Sequence, residues 1–170
     1  MKKSIKTYTN ITWLPANSTI DIINTNAIKN EYGKSTSVFS FIFNQDKSQI
    51  LLLEHANKIR GYDVPGGHID PGETISIALH REIMEETGAI VKNEKIIGIQ
   101  LIKKDKPEDK YPDLISNQVF FVSTLDTITT NELASDSLGI QMVGIEEYKE
   151  LLNTNQNMYL KELLELALTA

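Results

Sequence analysis

The sequence predicts a single α/β domain in which helices cover a mixed β-sheet. Runs typical of strands and runs typical of helices follow one another along most of the chain. The 170 residues suffice for one compact core and are few for two domains. Hydrophobic residues make up 41% and charged residues 24%, a balance typical of a globular protein.

The N-terminal segment is polar and rich in Asn and Thr, and it contains two short β-prone runs, SIKTYTNITW and TIDII. We expect these runs to form a hairpin, or strands that lie against the main domain. The sequence therefore predicts an N-terminal extension over residues 1–34 and a main domain over residues 35–170.

Two central strands begin the main domain. Ser35–Phe43 is apolar on both alternating faces, as expected of a strand buried within a sheet. Gln49–His55 is predicted as its hairpin partner across the turn NQDKS. Phe39, Phe41 and Phe43 share one strand face, so we expect them to pack in the core.

A loop and a helix come next. The run YDVPGGHIDPGE contains chain-breaking Pro and Gly residues, and its DPGE portion suits a type II turn. From Thr74, the predicted N-cap, apolar residues recur at helical spacing until Gly88 ends the helix. The apolar stripe consists of Ala78, Leu79, Ile83 and Met84.

The remaining segments complete the α/β pattern. Strands are predicted at about Lys95–Leu101 and Val119–Leu125, separated by the charged loop KKDKPEDKYPD, and GIQMVGI is predicted as a further strand. The C-terminal run MYLKELLELAL has a leucine-rich stripe at helical spacing. It therefore predicts an amphipathic helix whose stripe packs on the core.

The first predicted helix carries three carboxylates in the run REIMEETG, at Glu82, Glu85 and Glu86. Side chains spaced i, i+3 and i+4 lie on one helical face, with Cβ atoms about 5–6 Å apart. Such a cluster costs stability unless a cation or a proton relieves the repulsion, and Mg²⁺ prefers oxygen ligands of this kind. Arg81 can pair with Glu85, four residues later. The helix alone also fits a solvated acidic face.

The residues around the helix favour the metal site. The run GGHIDPGETISIALHREIMEETGA fits the pattern G-x5-E-x7-R-E-U-x-E-E-x-G-U, where U is a bulky aliphatic residue. This is the signature of the Nudix hydrolases, and the chain resembles that family. A chance match to its seven fixed identities is on the order of 10⁻⁶ at average residue usage. The second U is Ala89, which is smaller than usual at a position that packs rather than catalyses.

The resemblance implies an α/β/α sandwich with a mixed β-sheet between helices. It also implies hydrolysis of a nucleoside diphosphate linked to a further group, with water attacking phosphorus and with Mg²⁺ as cofactor, for which Mn²⁺ can substitute. Glu73 is expected to support the metal site, and Arg81 to orient a carboxylate. The implied metal ligands are Glu82, Glu85, Glu86 and the backbone carbonyl of Gly67.

Several further residues are candidates for catalysis or binding. In some relatives the general base is an acid in a later loop, and Glu132 lies in a comparable place, although a surface acid is an equal alternative. Asp113, in the charged loop, is a weaker candidate for the same role. Lys58 and Arg60 precede the motif and could contact phosphate oxygens. The aromatic residues that could stack on a nucleobase are Tyr8, Trp13 and Tyr62.

Charge and composition limit the partners. The net charge of −6 weighs against binding a nucleic acid polymer. The N-terminal run MKKSIKTYTNITWLP lacks a long apolar stretch, and no segment approaches the ~18 apolar residues of a membrane span. We therefore expect a cytoplasmic monomer or homodimer that acts on a small-molecule nucleotide and does not bind membranes.

Three functions remain open. The first is a pyrophosphohydrolase that cleaves a nucleoside triphosphate, including oxidised dGTP, to the monophosphate and pyrophosphate. The second is a hydrolase of a nucleotide sugar or a dinucleotide, and the third is a nucleotide-binding regulator without hydrolysis. Every acid of the motif is present, which favours a hydrolase. Relatives specific for ADP-ribose tend to have a proline shortly after the motif, where this chain has Lys104 and Asp105. The isomerase branch of the fold needs a catalytic cysteine, and the chain has none.

Overall fold

The computed structural model describes residues 4–55, 61–107, 112–129, 137–154 and 158–170. The strands in these ranges are β1 (Lys6–Thr9), β2 (Thr19–Asn24), β3 (Lys34–Phe43), β4 (Gln49–His55), β5 (Tyr62–Asp63), β6 (Gly66–His68), β7 (Ala89–Lys103), β8 (Ile115–Ile128) and β9 (Ser137–Gly144). The helices are α1 (Ile75–Thr87), α2 (Ile145–Thr154) and α3 (Lys161–Thr169), with 3₁₀ turns at Asn30–Tyr32 and Met158–Leu160.

A single mixed sheet passes through the centre of the protein. Its main strand order is β1-β2-β7-β8-β3-β4-β5, with β6 paired to β3 and β9 paired to β4. The central pair β3 and β8 is parallel, whereas the other pairs in the described part of the chain are antiparallel. The prediction of a mixed sheet is therefore confirmed.

The two N-terminal strands extend this sheet. β1 pairs with β2, and β2 pairs along its whole length with β7, from Thr19 opposite Lys103 to Asn24 opposite Gly98. Ile20 is fully buried, so this edge contributes to the core. The boundary drawn at residue 35 between extension and domain stays a prediction.

Helices cover both faces of the sheet and enclose two apolar clusters. On one face, α1 packs Leu79 and Ile83 into a cluster with strand residues such as Val38. On the other face, α2 and α3 pack Tyr148 and Leu163 into a second cluster. This second cluster includes Phe41 and Phe43, with Phe39 packed against it, as expected. The sheet is the central layer of an α/β/α sandwich.

The structure differs from the predicted elements at several places, including β5, which lies in the predicted loop, and β8, which begins at Ile115 rather than at about Val119. Gly66–His68, predicted as loop, forms β6 because its backbone bonds to β3, which no local propensity indicates. β7 runs from Ala89 rather than from Lys95, and its pairing with β8 is interrupted near Asn93, whose φ is 60°. The helix α2 was not predicted, because its few apolar residues form too short a repeat.

Within the described ranges, no helix is long and apolar enough to cross a membrane.

Candidate active site

The helix α1 is held in place by local signals at both ends. The Thr74 side chain accepts a hydrogen bond from the Ile77 backbone N–H at 3.2 Å, as an N-cap does. Gly88 adopts the left-handed conformation, with φ at 63°, and its N–H donates to the Met84 carbonyl. The buried stripe faces the sheet, Glu82 and Glu86 lie beside it on the side that faces β6, and Glu85 is exposed.

A tight turn connects β6 to α1. The Glu73 backbone N–H donates to the Asp70 carbonyl at 3.0 Å, and Gly72 has a φ of 92°, as the predicted type II turn requires. The Glu73 carboxylate also accepts from the Asp70 backbone N–H at 2.9 Å. The turn therefore holds the Glu73 side chain close to the start of the helix.

The Arg81 guanidinium lies at the centre of the acidic residues. Its Nε and Nη2 donate to the two carboxylate oxygens of Glu73 at 2.7 and 2.8 Å, a bidentate pair. Its Nη1 donates to Glu82 at 2.9 Å and to Glu85 at 3.1 Å. Nη2 also donates to the His68 carbonyl at 2.9 Å, which ties the helix to β6. The pairing of Arg81 with Glu85 was expected. Its bidentate pairing with Glu73 was not expected.

The glycines of β6 let two further acids approach the backbone. The Gly66 N–H donates to the Glu86 carboxylate at 2.8 Å. A Cβ atom at position 67 would lie 2.5 Å from Cδ and 2.6 Å from Oε1 of Glu82, so only glycine leaves room for this carboxylate. Gly66 and the motif glycine Gly67 therefore allow two acids of α1 to lie directly against the β6 backbone.

Hydrogen bonds between charged groups shift the pKa values of Glu73 and Arg81. The hydrogen bonds from Arg81 and from the Asp70 backbone N–H lower the pKa of Glu73 from 4.5 to about 2. In turn, the hydrogen bond to Glu73, with further contributions from Glu82 and Glu85, raises the pKa of Arg81. Glu73 is therefore a carboxylate at neutral pH.

The donor set fits a hard divalent cation. The side chains of Glu82, Glu85 and Glu86 and the backbone at Gly67 offer oxygen ligands only, and Gly67 leaves space beside the Glu82 carboxylate. In the described ranges, no three acidic or histidine side chains converge on one point as a metal-binding group. Instead Arg81 lies between Glu82 and Glu85 and supplies the neutralising charge. Their assignment as metal ligands stays a prediction.

Some of the other candidates are outside the described residues. Glu132, Lys58 and Arg60 fall in this group, so their predicted roles are not tested. Ala89, the unusual residue of the motif, is 2% exposed and packs in the core as expected. Tyr62 donates to Gln141, and its predicted stacking role stays open.

A cavity of about 190 Å³ is lined by residues of β3, β6, β7 and β8 and of the segment that connects β1 to β2. His68, Thr36 and Ser37 line its end nearest the motif. Its other lining residues include Trp13, Leu14, Ile102, Lys104, Asp113 and Gln118. Trp13 was a stacking candidate and Asp113 a candidate base, whereas Lys104 and Gln118 have no sequence motif that would single them out.

Known proteins resemble this chain in sequence and in fold. Residues 33–164 match the family model of the NUDIX domain. The chain belongs to this family. The predicted Nudix-type sandwich is thereby confirmed, and Glu82, Glu85 and Glu86 lie in the Nudix motif on α1. Members of the family generally use a divalent metal ion.

Individual relatives match over shorter stretches. A segment of 57 residues is 46% identical to the putative 8-oxo-dGTP diphosphatase YtkD of Bacillus subtilis and covers 33% of this chain and 35% of that protein. A segment of 59 residues is 37% identical to an ADP-ribose pyrophosphatase of Methanocaldococcus jannaschii and covers 34% of this chain and 35% of that one. The matches thus span about a third of these curated relatives.

The fold similarity extends much further along the chain. A crystal structure of the Bacillus subtilis pyrophosphohydrolase BsRppH superposes with a TM-score of 0.70, over 97% of this chain and 94% of that one. At 20% sequence identity, this similarity shows a shared fold.

Proposed function

We propose that the protein is a Mg²⁺-dependent Nudix pyrophosphohydrolase that cleaves a nucleoside triphosphate to the monophosphate and pyrophosphate. The observation that supports this function is the network that joins the motif acids to Arg81 and to the Gly66–Gly67 backbone. Glu82 and Glu86 approach that backbone directly, and Arg81 holds Glu73, Glu82 and Glu85 in one network. Acidic residues that only face solvent would not be expected to contact the β6 backbone and to share one arginine.

The residues of the chain have separable tasks in this proposal. Glu82, Glu85, Glu86 and the Gly67 carbonyl would hold Mg²⁺, which neutralises phosphate charge and supplies electrophilic assistance at phosphorus. Arg81 orients the Glu82 carboxylate and, through the bidentate pair, fixes Glu73. Because its pKa is lowered to about 2, Glu73 keeps its negative charge throughout the pH range of an enzyme assay. Glu132 is proposed as the general base that takes a proton from the attacking water.

Two features support a nucleoside triphosphate as substrate. A relative with 46% identity over the matched segment is named as a putative 8-oxo-dGTP diphosphatase, which is consistent with a triphosphate substrate. The chain also has Lys104 and Asp105 in the region where a proline is typical of ADP-ribose-specific relatives. Another relative is named as an ADP-ribose pyrophosphatase, so ADP-ribose is the second candidate substrate. The proposed partner is therefore a small nucleotide, and the expected cytoplasmic location stays a prediction.

A substrate screen with product analysis tests the function. The purified full chain is incubated with GTP, ITP, ATP, 8-oxo-dGTP and ADP-ribose in the presence of Mg²⁺, and pyrophosphate and orthophosphate are measured separately. We expect monophosphate and pyrophosphate from at least one triphosphate, with loss of turnover on chelation and recovery with Mg²⁺ or Mn²⁺. Orthophosphate as the sole inorganic product would refute the cleavage mode. Full turnover after exhaustive chelation would refute metal dependence.

A further inference from the structure

The last turn of α1, residues 84–87, carries two of the three acids that are expected to bind metal. These are Glu85 and Glu86, close to the end of the helix at Thr87. The C-terminal end of a helix carries partial negative charge, so carboxylates there are repelled. The helix α1 lies wholly within the described ranges, and its last turn contains no basic residue to offset this charge. The turn therefore needs other contacts to keep its acids in one position.

Local hydrogen bonds at the end of the helix supply part of that support. The Thr87 hydroxyl donates to the Ile83 carbonyl at 2.6 Å and accepts from the Ala89 backbone N–H at 3.0 Å. The Gly88 N–H donates to the Met84 carbonyl at 2.9 Å. All three bonds join residues at most 4 positions apart. They therefore shape the turn without fixing its place over the sheet.

Thr129, at the end of β8, makes a long-range contact to this turn. Its backbone N–H and its hydroxyl both donate to the Gly88 carbonyl, at 2.8 and 2.9 Å, from 41 positions further along the sequence. The same hydroxyl oxygen lies 3.8 Å from the Met84 sulfur. Thr129 directly follows Ile128, which pairs with Ala89 at the end of the β7–β8 ladder. The end of this ladder is thereby joined to the end of α1.

A second tether holds the same turn from the other side of β3. The Glu86 carboxylate accepts from the Gly66 N–H of β6 at 2.8 Å. Val38 of β3 pairs with Gly67 of β6 and also with Val119 of β8, so β6 and β8 flank β3. Only the tether from β8 involves no carboxylate among these two. It can therefore persist unchanged when the acids of the turn bind a cation.

The hydroxyl is the part of Thr129 that depends on residue type. Any residue except proline could supply the backbone N–H, whereas the second bond to Gly88 needs a side chain with a donor at this position. Thr129 is exposed, and substitutions at exposed positions usually change stability little. The effect of removing the hydroxyl should therefore appear at the acids of α1 more than in the stability of the fold.

We propose that Thr129 is a positioning residue that acts through the Gly88 carbonyl and holds the last turn of α1 so that Glu85 and Glu86 are placed to bind a divalent cation. The inference rests on the proposed function, which assigns Mg²⁺ to these acids. Thr129 lies outside the Nudix motif of residues 67–89, so the motif spacing does not include it. Its physical effect is preorganisation, because carboxylates that are already held in place lose less conformational freedom when they bind.

Binding of Mn²⁺ tests the proposal without catalysis. The full chain is titrated with Mn²⁺, and the free ion is measured by electron paramagnetic resonance. Thr129→Val keeps the shape of the side chain and removes the hydroxyl. We expect its Kd for Mn²⁺ to rise about threefold to tenfold, the range that corresponds to the loss of one neutral hydrogen bond. Thr129→Ser keeps the hydroxyl and should have the parental Kd.

Thr127→Val is the matched control on the same strand. Thr127 is exposed like Thr129, and its hydroxyl makes no hydrogen bond within the described ranges. This variant should keep the parental Kd for Mn²⁺. Thermal unfolding with chelator present separates positioning from stability, and we expect the Tm of Thr129→Val to stay within about 2 °C of the parent. Circular dichroism checks that all variants are folded.

The dependence of hydrolysis on Mg²⁺ gives an independent readout. In Thr129→Val the Mg²⁺ concentration for half-maximal rate should rise by the same factor as the Kd for Mn²⁺. The value of kcat at saturating Mg²⁺ should stay within about twofold of the parent, because the bound cation then holds the carboxylates itself.

Three results would overturn the inference: a lowered Tm with the parental Kd for Mn²⁺ in Thr129→Val, an equal loss of affinity in Thr127→Val, or a loss in Thr129→Ser as large as in Thr129→Val. Mn²⁺ binding that depends on Thr129, without hydrolysis of any nucleoside triphosphate, would instead refute the proposed function and leave the positioning role standing. Mg²⁺-dependent hydrolysis with the same half-saturating Mg²⁺ concentration in the parent and in Thr129→Val would do the reverse.

Discussion

A methyl group at position 67 should disable the candidate site while leaving the fold in place. In the Gly67→Ala variant, the new Cβ would lie 2.5 Å from Cδ of Glu82, whereas ordinary van der Waals contact begins at 3.4 Å. The carboxylate must therefore retreat by about 1 Å, and a misplacement of about 1 Å can cost about a hundredfold in rate. We expect kcat/KM to fall by about this factor, which corresponds to about 2.7 kcal/mol of transition-state stabilisation.

The stability of Gly67→Ala should change little. The atoms that must move are the end of a flexible side chain and not backbone. The pair that is disturbed, Glu82 with Arg81, has exposed side-chain fractions of 14% and 26%. An ion pair that is partly exposed contributes about 0.2–1 kcal/mol. A Tm lowered by no more than about 4 °C is therefore expected for a chain of this size.

Two other glycines provide matched controls. Gly139→Ala should be neutral in both activity and Tm, because its new Cβ would have no neighbour within 4 Å. Gly66→Ala should instead lose stability, because its φ is 148° and its Cβ would overlap the Val38 carbonyl oxygen and lie 2.6 Å from the Phe39 Cα. Thermal unfolding and steady-state kinetics with saturating Mg²⁺ are measured on all three variants. If Gly67→Ala kept kcat/KM within about threefold of the parent, the close approach of Glu82 would have no catalytic role.

Three further predictions concern the acids. Glu85→Gln and Glu86→Gln should each lower kcat by at least about a hundredfold at saturating metal, with the fold unchanged or slightly stabilised because like-charge repulsion is relieved; near-parental turnover would show that the ligand assignment is wrong. Because the pKa of Glu73 is lowered from 4.5 to about 2 on folding, its stabilising contribution is fully present above pH 4.5 and is lost as the pH falls toward 2. Over that interval the Tm of Glu73→Gln should therefore fall less than that of the parent, and parallel losses would contradict this account. Glu132→Gln should lower the rate and shift the acidic limb of the pH–rate profile without weakening metal binding, and an unchanged profile would exclude Glu132 as the base.

Elements with strong local signals were predicted accurately. The helix α1 begins after Thr74 and ends at Gly88 because a side-chain cap and a left-handed glycine act within a few residues of the positions that they fix. The turn at Asp70–Glu73 likewise follows from its Pro-Gly sequence. By contrast, α2 was missed because its stability comes from packing Tyr148 and Leu152 against the sheet.

The sequence by itself determined the family, the identity of the motif acids and the helical face on which they lie, because these depend on residue spacing along one segment. Only the tertiary structure decided what those acids contact. The strand β6 forms because β3 lies beside it, and Arg81 bonds chiefly to Glu73 because the turn brings that carboxylate back to the helix. Trp13 and Lys104 are far apart in the sequence and line the same cavity. Such neighbours arise from strand pairing between distant segments, as where β2 lies along β7, and no local pattern encodes that pairing.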